Sequence, residues 1–175
     1  MCFHNAMVVY VNKSKKSRPF SKYENCTYTL KDIIETSWFI PSQSIVFRKT
    51  MYSTPVWSKH IYNGDLTLQL LLAQKGPFYC IDEIMSVYRK HASGVSSINS
   101  YYYSTLKIIE ILYYFNLHSN FEYHTIIQKR IQFLSNSLYA KFLYNRPFYV
   151  KILSIDFYIF KTWSFLSKRK KFKIL

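Results

Sequence analysis

The dipeptide Gly76-Pro77 divides an apolar run at helical period from an apolar run of extended character, and this junction constrains the fold most. Leu66–Lys75 predicts a short helix. Asp65, in Asn63-Gly64-Asp65, fits its N-cap, where a side-chain oxygen accepts from the free N–H groups of the first turn. Gly76 suits the left-handed position past a helix end, and Pro77 cannot continue the helix. Phe78–Tyr88 then reads as a strand pair, with Val87-Tyr88-Arg89 extended. Tyr88-Arg89-Lys90-His91 leads into a small-residue loop at Ser93, Gly94, Ser96 and Ser97. An acid at a helix start and a histidine at a strand end can face one cleft.

The flanking segments extend that alternation. Cys2–Val11 reads as a strand, rich in Val and aromatic residues. Asn12–Asn25 reads as a basic loop carrying Lys13, Lys15, Lys16, Arg18 and Lys22, and Thr29–Glu35 as a short helix. Trp38–Phe47 returns to an extended, buried pattern. Beyond residue 97 the period becomes helical. Tyr101–Leu117 sets Ile108, Ile111, Leu112 and Phe115 on one face, opposite Ser104, Lys107 and Glu110. His124–Tyr144 sets Ile127, Ile131, Leu134, Leu138 and Phe142 in a stripe. After Pro147, Phe148–Leu166 sets Ile152, Ile155, Ile159, Trp163 and Leu166 on one face, and Lys168–Lys173 forms a basic tail. Such an apolar face followed by cations is what a helix lying in a membrane interface needs.

A length of 175 residues is enough for one domain with a sizeable core. Three glycines are few for a complete nucleotide-binding α/β domain with its tight turns. With 24 Lys and Arg against 9 Asp and Glu, the net charge of +15 calls for an anionic partner: lipid head groups, nucleotide phosphates or nucleic acid. Cys2, Cys26 and Cys80 have neither an even count nor CxxC spacing, so neither a disulfide framework nor a zinc site is indicated and a reducing setting is the default. No run reaches the roughly 18 apolar residues of a spanning helix, and no signal-peptide pattern opens the chain.

Order and spacing over a longer span carry a resemblance. Phe39-Ile40-Pro41-Ser42-Gln43-Ser44-Ile45-Val46-Phe47-Arg48 is followed by Pro55-Val56-Trp57, Gly64-Asp65, Leu71-Leu72-Ala73-Gln74-Lys75-Gly76 and Tyr88-Arg89-Lys90-His91-Ala92-Ser93-Gly94-Val95-Ser96. This succession resembles the acceptor-side half of family 2 glycosyltransferases of the GT-A fold, over roughly residues 1 to 97. The resemblance implies an α/β fold: a partial GT-A-like mixed sheet with flanking helices in 1–97, then a C-terminal helical region in 98–175 with a membrane-facing tail. It makes Asp65 the catalytic base and His91 a ligand of a divalent metal, Mn²⁺ or Mg²⁺. Ser42, Gln43, Ser44, Trp57 and Arg89 become substrate-binding residues, although the family often has glycine where Ser42, Gln43 and Ser44 stand. The nucleotide-binding half, with the aspartate pair that grips the metal, is expected to precede residue 1. The implied partners are a nucleotide-sugar donor, a glycan or lipid-linked acceptor and an anionic membrane surface, with no nucleic acid. The implied location is cytoplasmic, peripheral on the inner face of the cell membrane.

The chemistry asked of those residues is definite. Glycosyl transfer passes through an oxocarbenium-like transition state as a diphosphate leaves. A carboxylate must take the acceptor hydroxyl's proton as it attacks from the opposite face. Asp65 is the one well-placed candidate among nine acids: Asp82 and Glu83 read as strand-turn residues, and Asp32, Glu35, Glu110, Glu122 and Asp156 lie on ordinary helix faces. The alternative is a non-enzymatic basic module that binds membrane surface or nucleic acid, with Asp65 a simple N-cap and His91 a surface residue.

Overall fold

The structure is a computed structural model that describes residues 1–11, 15–24, 26–37, 39–61 and 64–144. The chain divides into two units, 1–131 and 132–175. The predicted helix Phe148–Leu166 and the basic tail lie outside the described residues.

The fold is α/β, built on a four-stranded mixed sheet of order β2-β1-β4-β3. Strand β1 is Cys2–Tyr10, β2 is Arg18–Pro19, β3 is Thr27–Tyr28 and β4 is Phe78–Lys90. The two long strands, β1 and β4, run parallel side by side, and the short β2 and β3 are antiparallel to them at the edges. The expected strand pair in Phe78–Tyr88 is instead one continuous strand of 13 residues with an irregularity in its middle. Between the pairs His4↔Ile81 and Ala6↔Ser86 the register shifts twice. Extra residues on one strand leave the ladder unpaired locally and sharpen the twist, and here those residues include the exposed Asp82, Glu83 and Met85.

The bulge explains the burial pattern of β1. A regular strand alternates faces, but Asn5 and Ala6 are both buried, with Phe3 and Val8 on either side. Asn5 sits where the register breaks. Its Oδ1 accepts from the backbone N–H of Ala6 at 2.9 Å and of Ser21 at 3.4 Å, and its Nδ2 donates to the Ser21 carbonyl at 2.8 Å. One side chain thereby satisfies the disturbed backbone and ties the 18–21 segment to the sheet. Asn5→Leu removes those bonds and leaves buried polar groups unmet, so it is expected to cost about 1–3 kcal/mol in chemical denaturation.

The basic loop reading of Asn12–Asn25 is corrected in part: Arg18-Pro19 forms β2 against Met7 and Val8. Nearer the start of β1, Cys2 and Val46 exchange backbone hydrogen bonds at 3.0 and 2.9 Å, and Phe20 N–H reaches the Ala6 carbonyl at 2.8 Å. The outer edge of β1 is thus paired in pieces, by short segments rather than by one strand.

Helix α1, Leu30–Thr36, follows a cap at Thr29, whose N–H donates to Asp32 Oδ2 at 2.7 Å. Helix α2 is Gly64–Ala73, so Asp65 stands inside the first turn rather than at the N-cap. Residues 95–98 form a single helical turn, α3, within the expected small-residue loop. Helix α4 is Tyr101–His118, and its N-cap Ser100 accepts from the Tyr103 N–H at 3.2 Å. Helix α5 is His124–Tyr144. Contacts run from β3 to α1, α1 to α2 and α2 to α4. The core of the first unit joins Phe3, Ala6 and Val8 of β1 and Phe78 and Cys80 of β4 to buried Ile33, Ile34, Leu66, Leu70, Leu72, Ile111, Leu112 and Phe115 from the helices.

The extended reading of Trp38–Phe47 is also corrected. Ser42–Ser44 is a 3₁₀ turn after Pro41, whose carbonyl accepts from both the Ser44 N–H and the Ser44 hydroxyl. Among the described residues of that stretch, only the bridge at Val46 is strand-like.

Candidate functional site

The 3₁₀ turn at Ser42–Ser44 contacts both β1 and β4, and its side chains reach in two directions. Ser42 Oγ donates to Asp65 Oδ2 at 2.5 Å. Gln43 Nε2 reaches Ser86 Oγ of β4 at 3.5 Å, the outer limit of such a bond. Ser44 is buried and its hydroxyl is spent on Pro41, which makes it the residue that shapes the turn. The turn thus couples the first turn of α2 to the middle of β4. Ser42, Asp65, Leu66 and the buried Gln69 line one narrow crevice with no room for a water molecule.

Helical geometry explains the grouping. Asp65 and Gln69 are four residues apart, so they lie one above the other on α2, while Leu66 and Leu70 anchor the helix in the core. A carboxylate in a first helical turn also lies at the positive end of the helix dipole. The sequence reading passed over Gln69 and Ser86. The four-residue spacing from Asp65 could have found the first, but nothing local signals the second.

Arg89 stands near the end of β4, and His91 lies just past it. Both are exposed at its far end, where Arg89 pairs with Val9 and Lys90 with Tyr10. His91 Nδ1 lies 3.0 Å from Ser93 Oγ, and its carbonyl accepts from Gly94 N–H at 3.1 Å. A Cβ on Gly94 would come 3.2 Å from that carbonyl, which makes the glycine the fitting residue for the turn. Five residues of strand from Ser86 to His91 span about 16 Å. Among the described residues no hydrogen bond links Asp65 with His91.

Trp57 lies in a 3₁₀ turn, Val56–His60, and its indole stacks on Tyr114 of α4 at 6.2 Å between centroids, with His118 at 5.7 Å. Its position is against the helices rather than in the Ser42–Asp65 cleft. A second concavity, of about 660 Å³, lies between the 18–23 segment and the β4 bulge, lined by Asn5, Arg18, Phe20, Lys22, Tyr23 and Asp82 among others.

The donor set for a divalent ion is thin. Among the described residues no three His, Cys, Asp or Glu side chains gather as a ligand group. Mn²⁺ or Mg²⁺ asks for several oxygen ligands, so the described residues do not hold one by themselves. No helix among them is long and apolar enough to cross a membrane.

No family model, curated protein or solved structure matches the chain. The functional reading therefore rests on geometry and residue chemistry.

Proposed function

We propose that this chain is the acceptor-side part of an inverting glycosyltransferase of family 2 and the GT-A kind, with Asp65 as its general base. The observation that carries the reading is the Ser42–Asp65 hydrogen bond. A carboxylate serving only as a cap turns to the N–H groups of its own helix. This one is half-buried and engaged by a side chain from 23 residues earlier, beside a narrow crevice. A base for an incoming hydroxyl needs both access and a held orientation.

In the proposed reaction the acceptor hydroxyl attacks the anomeric carbon opposite the departing diphosphate, which inverts that centre. Asp65 Oδ1 takes the hydroxyl proton, while Ser42 holds Oδ2. Gln43, exposed on the neighbouring turn, offers its amide group to a sugar hydroxyl. The excess of positive charge, +15 overall, fits a donor diphosphate and a lipid-linked acceptor in an anionic membrane surface.

The test uses membranes from cells carrying the gene in its native setting. They are supplied in turn with radiolabelled nucleotide-sugars and Mn²⁺ or Mg²⁺, and label is counted in lipid and polymer fractions. One donor should be incorporated, and Ser42→Ala should slow that incorporation about tenfold, the worth of one hydrogen bond to a charged group. If no donor labels either fraction with wild-type protein, the enzyme reading fails and the basic binding module replaces it.

A further inference from the structure

We propose that Cys26 and Cys80 form a reversible disulfide between β3 and β4, made by exchange with a small-molecule disulfide such as oxidised glutathione. The pairing follows from the register. Thr27 lies opposite Tyr79 and Tyr28 opposite Phe78, so one further step along the antiparallel pair sets Cys26 opposite Cys80. The Cys80 N–H donates to the Cys26 carbonyl at 2.8 Å, which places the two cysteines as a hydrogen-bonded pair.

Residues opposite each other in such a ladder share a face. Phe78 and Cys80 are 0% and 4% exposed while Tyr79 between them is 54% exposed, so Cys80 faces the core side. Cys26 is exposed. Cys2 is excluded by the same rule. In the parallel pair it lies opposite Tyr79, and Phe3 lies opposite Cys80, so Cys2 faces the other way.

Hydrogen-bonded cross-strand pairs have Cα atoms about 5.5 Å apart, inside the roughly 4.4–6.8 Å range of disulfides. Their Cβ atoms stand about 5 Å apart and must close to about 3.8 Å. Strand β3 has two residues and no strand on its outer side, so it can be drawn in. The strain of that movement makes the bond easily reduced, which suits a reversible link.

The exchange balances in two steps. The Cys26 thiolate attacks one sulfur of the reagent, the reagent's S–S bond breaks, and one glutathione thiolate leaves. Cys80 then gives up its proton and attacks Cys26 Sγ, forming the cross-strand bond and expelling the second glutathione thiolate. Two protein thiols are oxidised and one reagent disulfide is reduced to two thiols.

Burial pushes the Cys80 thiol up to about 11, with Asp82 and Cys26 adding to it, and the Tyr23 phenol also lies near enough to interact. The resolving step therefore starts from a scarce thiolate at neutral pH. Its rate should rise about tenfold for each pH unit below that value.

The full chain is incubated with oxidised glutathione at a series of pH values, quenched with N-ethylmaleimide and digested without reductant. A linked Cys26–Cys80 peptide is expected, with Cys2 alkylated and the link reversed by dithiothreitol. Cys80→Ser should instead accumulate glutathione on Cys26, and Cys26→Ser should show neither product. Persistent glutathione on Cys26 of the wild-type chain at high pH, or a link that uses Cys2, would overturn the proposal.

Discussion

Asp65→Asn is expected to lower the rate of sugar transfer on the order of a hundredfold, which corresponds to about 2.7 kcal/mol of activation free energy. The substitution is informative because the side chains are nearly the same shape. Asn keeps an oxygen that accepts from Ser42, so the coupling of the 3₁₀ turn to α2 survives. It loses a negative charge in the first turn of α2, worth roughly 0.3–1 kcal/mol of stability through the helix dipole. The melting temperature should therefore stay within about 4 °C of wild type. The proton affinity, by contrast, is gone: an amide cannot take a proton from a hydroxyl. The two roles of Asp65 thus predict different readouts from one variant. In the base role transfer collapses and the fold stays; in a purely structural role both barely move. Transfer measured in native membranes beside thermal unfolding of the purified variant separates them. Unchanged turnover would remove Asp65 from the chemistry.

Those residues differ in how visible they were before any coordinates. The long elements were legible because each repeats a period that burial enforces. The stripe Ile108, Ile111, Leu112 and Phe115 has the spacing of one helix face, and α4 buries the last three completely. Strand β1 is read from its Val and aromatic content, and a strand and α5 emerge within about a residue of their expected ends. Short elements were not legible, because their partners define them. Arg18-Pro19 becomes β2 only through pairing with Met7 and Val8. The turn at Ser42–Ser44 hides between Phe39-Ile40 and Ile45-Val46-Phe47, apolar neighbours that mimic a strand, and its decisive bonds to Pro41 are backbone events. The β4 bulge had a faint signal: the acidic pair Asp82-Glu83 interrupts an apolar run, which read as the turn of a hairpin. Adjacent parallel pairing with β1 let the strand carry on past it. In the candidate site, Asp65 was visible from its position after Asn63-Gly64. The Ser42 contact was not, since it spans 23 residues and depends on where the turn closes.

Phe3→Ala is expected to cost about 4 kcal/mol of folding stability, toward the upper part of the range for buried Phe truncations. Phe3 is fully buried on β1, opposite Cys80 of β4. Its ring meets Tyr23 at 5.2 Å, Tyr28 at 5.9 Å and Phe39 at 6.4 Å between centroids. Those neighbours also pack on one another, with Tyr28 and Phe39 at 5.0 Å. The cost of a truncation depends on how far its surroundings collapse into the void. Here the walls are held in place: the Tyr23 hydroxyl donates to the Phe39 carbonyl at 2.8 Å, and the Ser21 hydroxyl reaches the same carbonyl at 2.7 Å. Burial of Tyr23, which raises its phenol well above the usual range, keeps that hydroxyl protonated as the donor. The rings cannot move inward without breaking these bonds, so most of the cavity stays open. Against a usual total of about 5–15 kcal/mol, a loss of about 4 is a large fraction. The melting temperature should fall by roughly 8–16 °C for a chain of this size. Phe3→Leu, which refills much of the volume, should cost clearly less. Urea unfolding of the three proteins, compared at equal slopes, gives the difference directly. A loss below about 1 kcal/mol for Phe3→Ala would mean that the aromatic cluster is not packed around this ring, and the assignment of β1 to the centre of the sheet would fall with it.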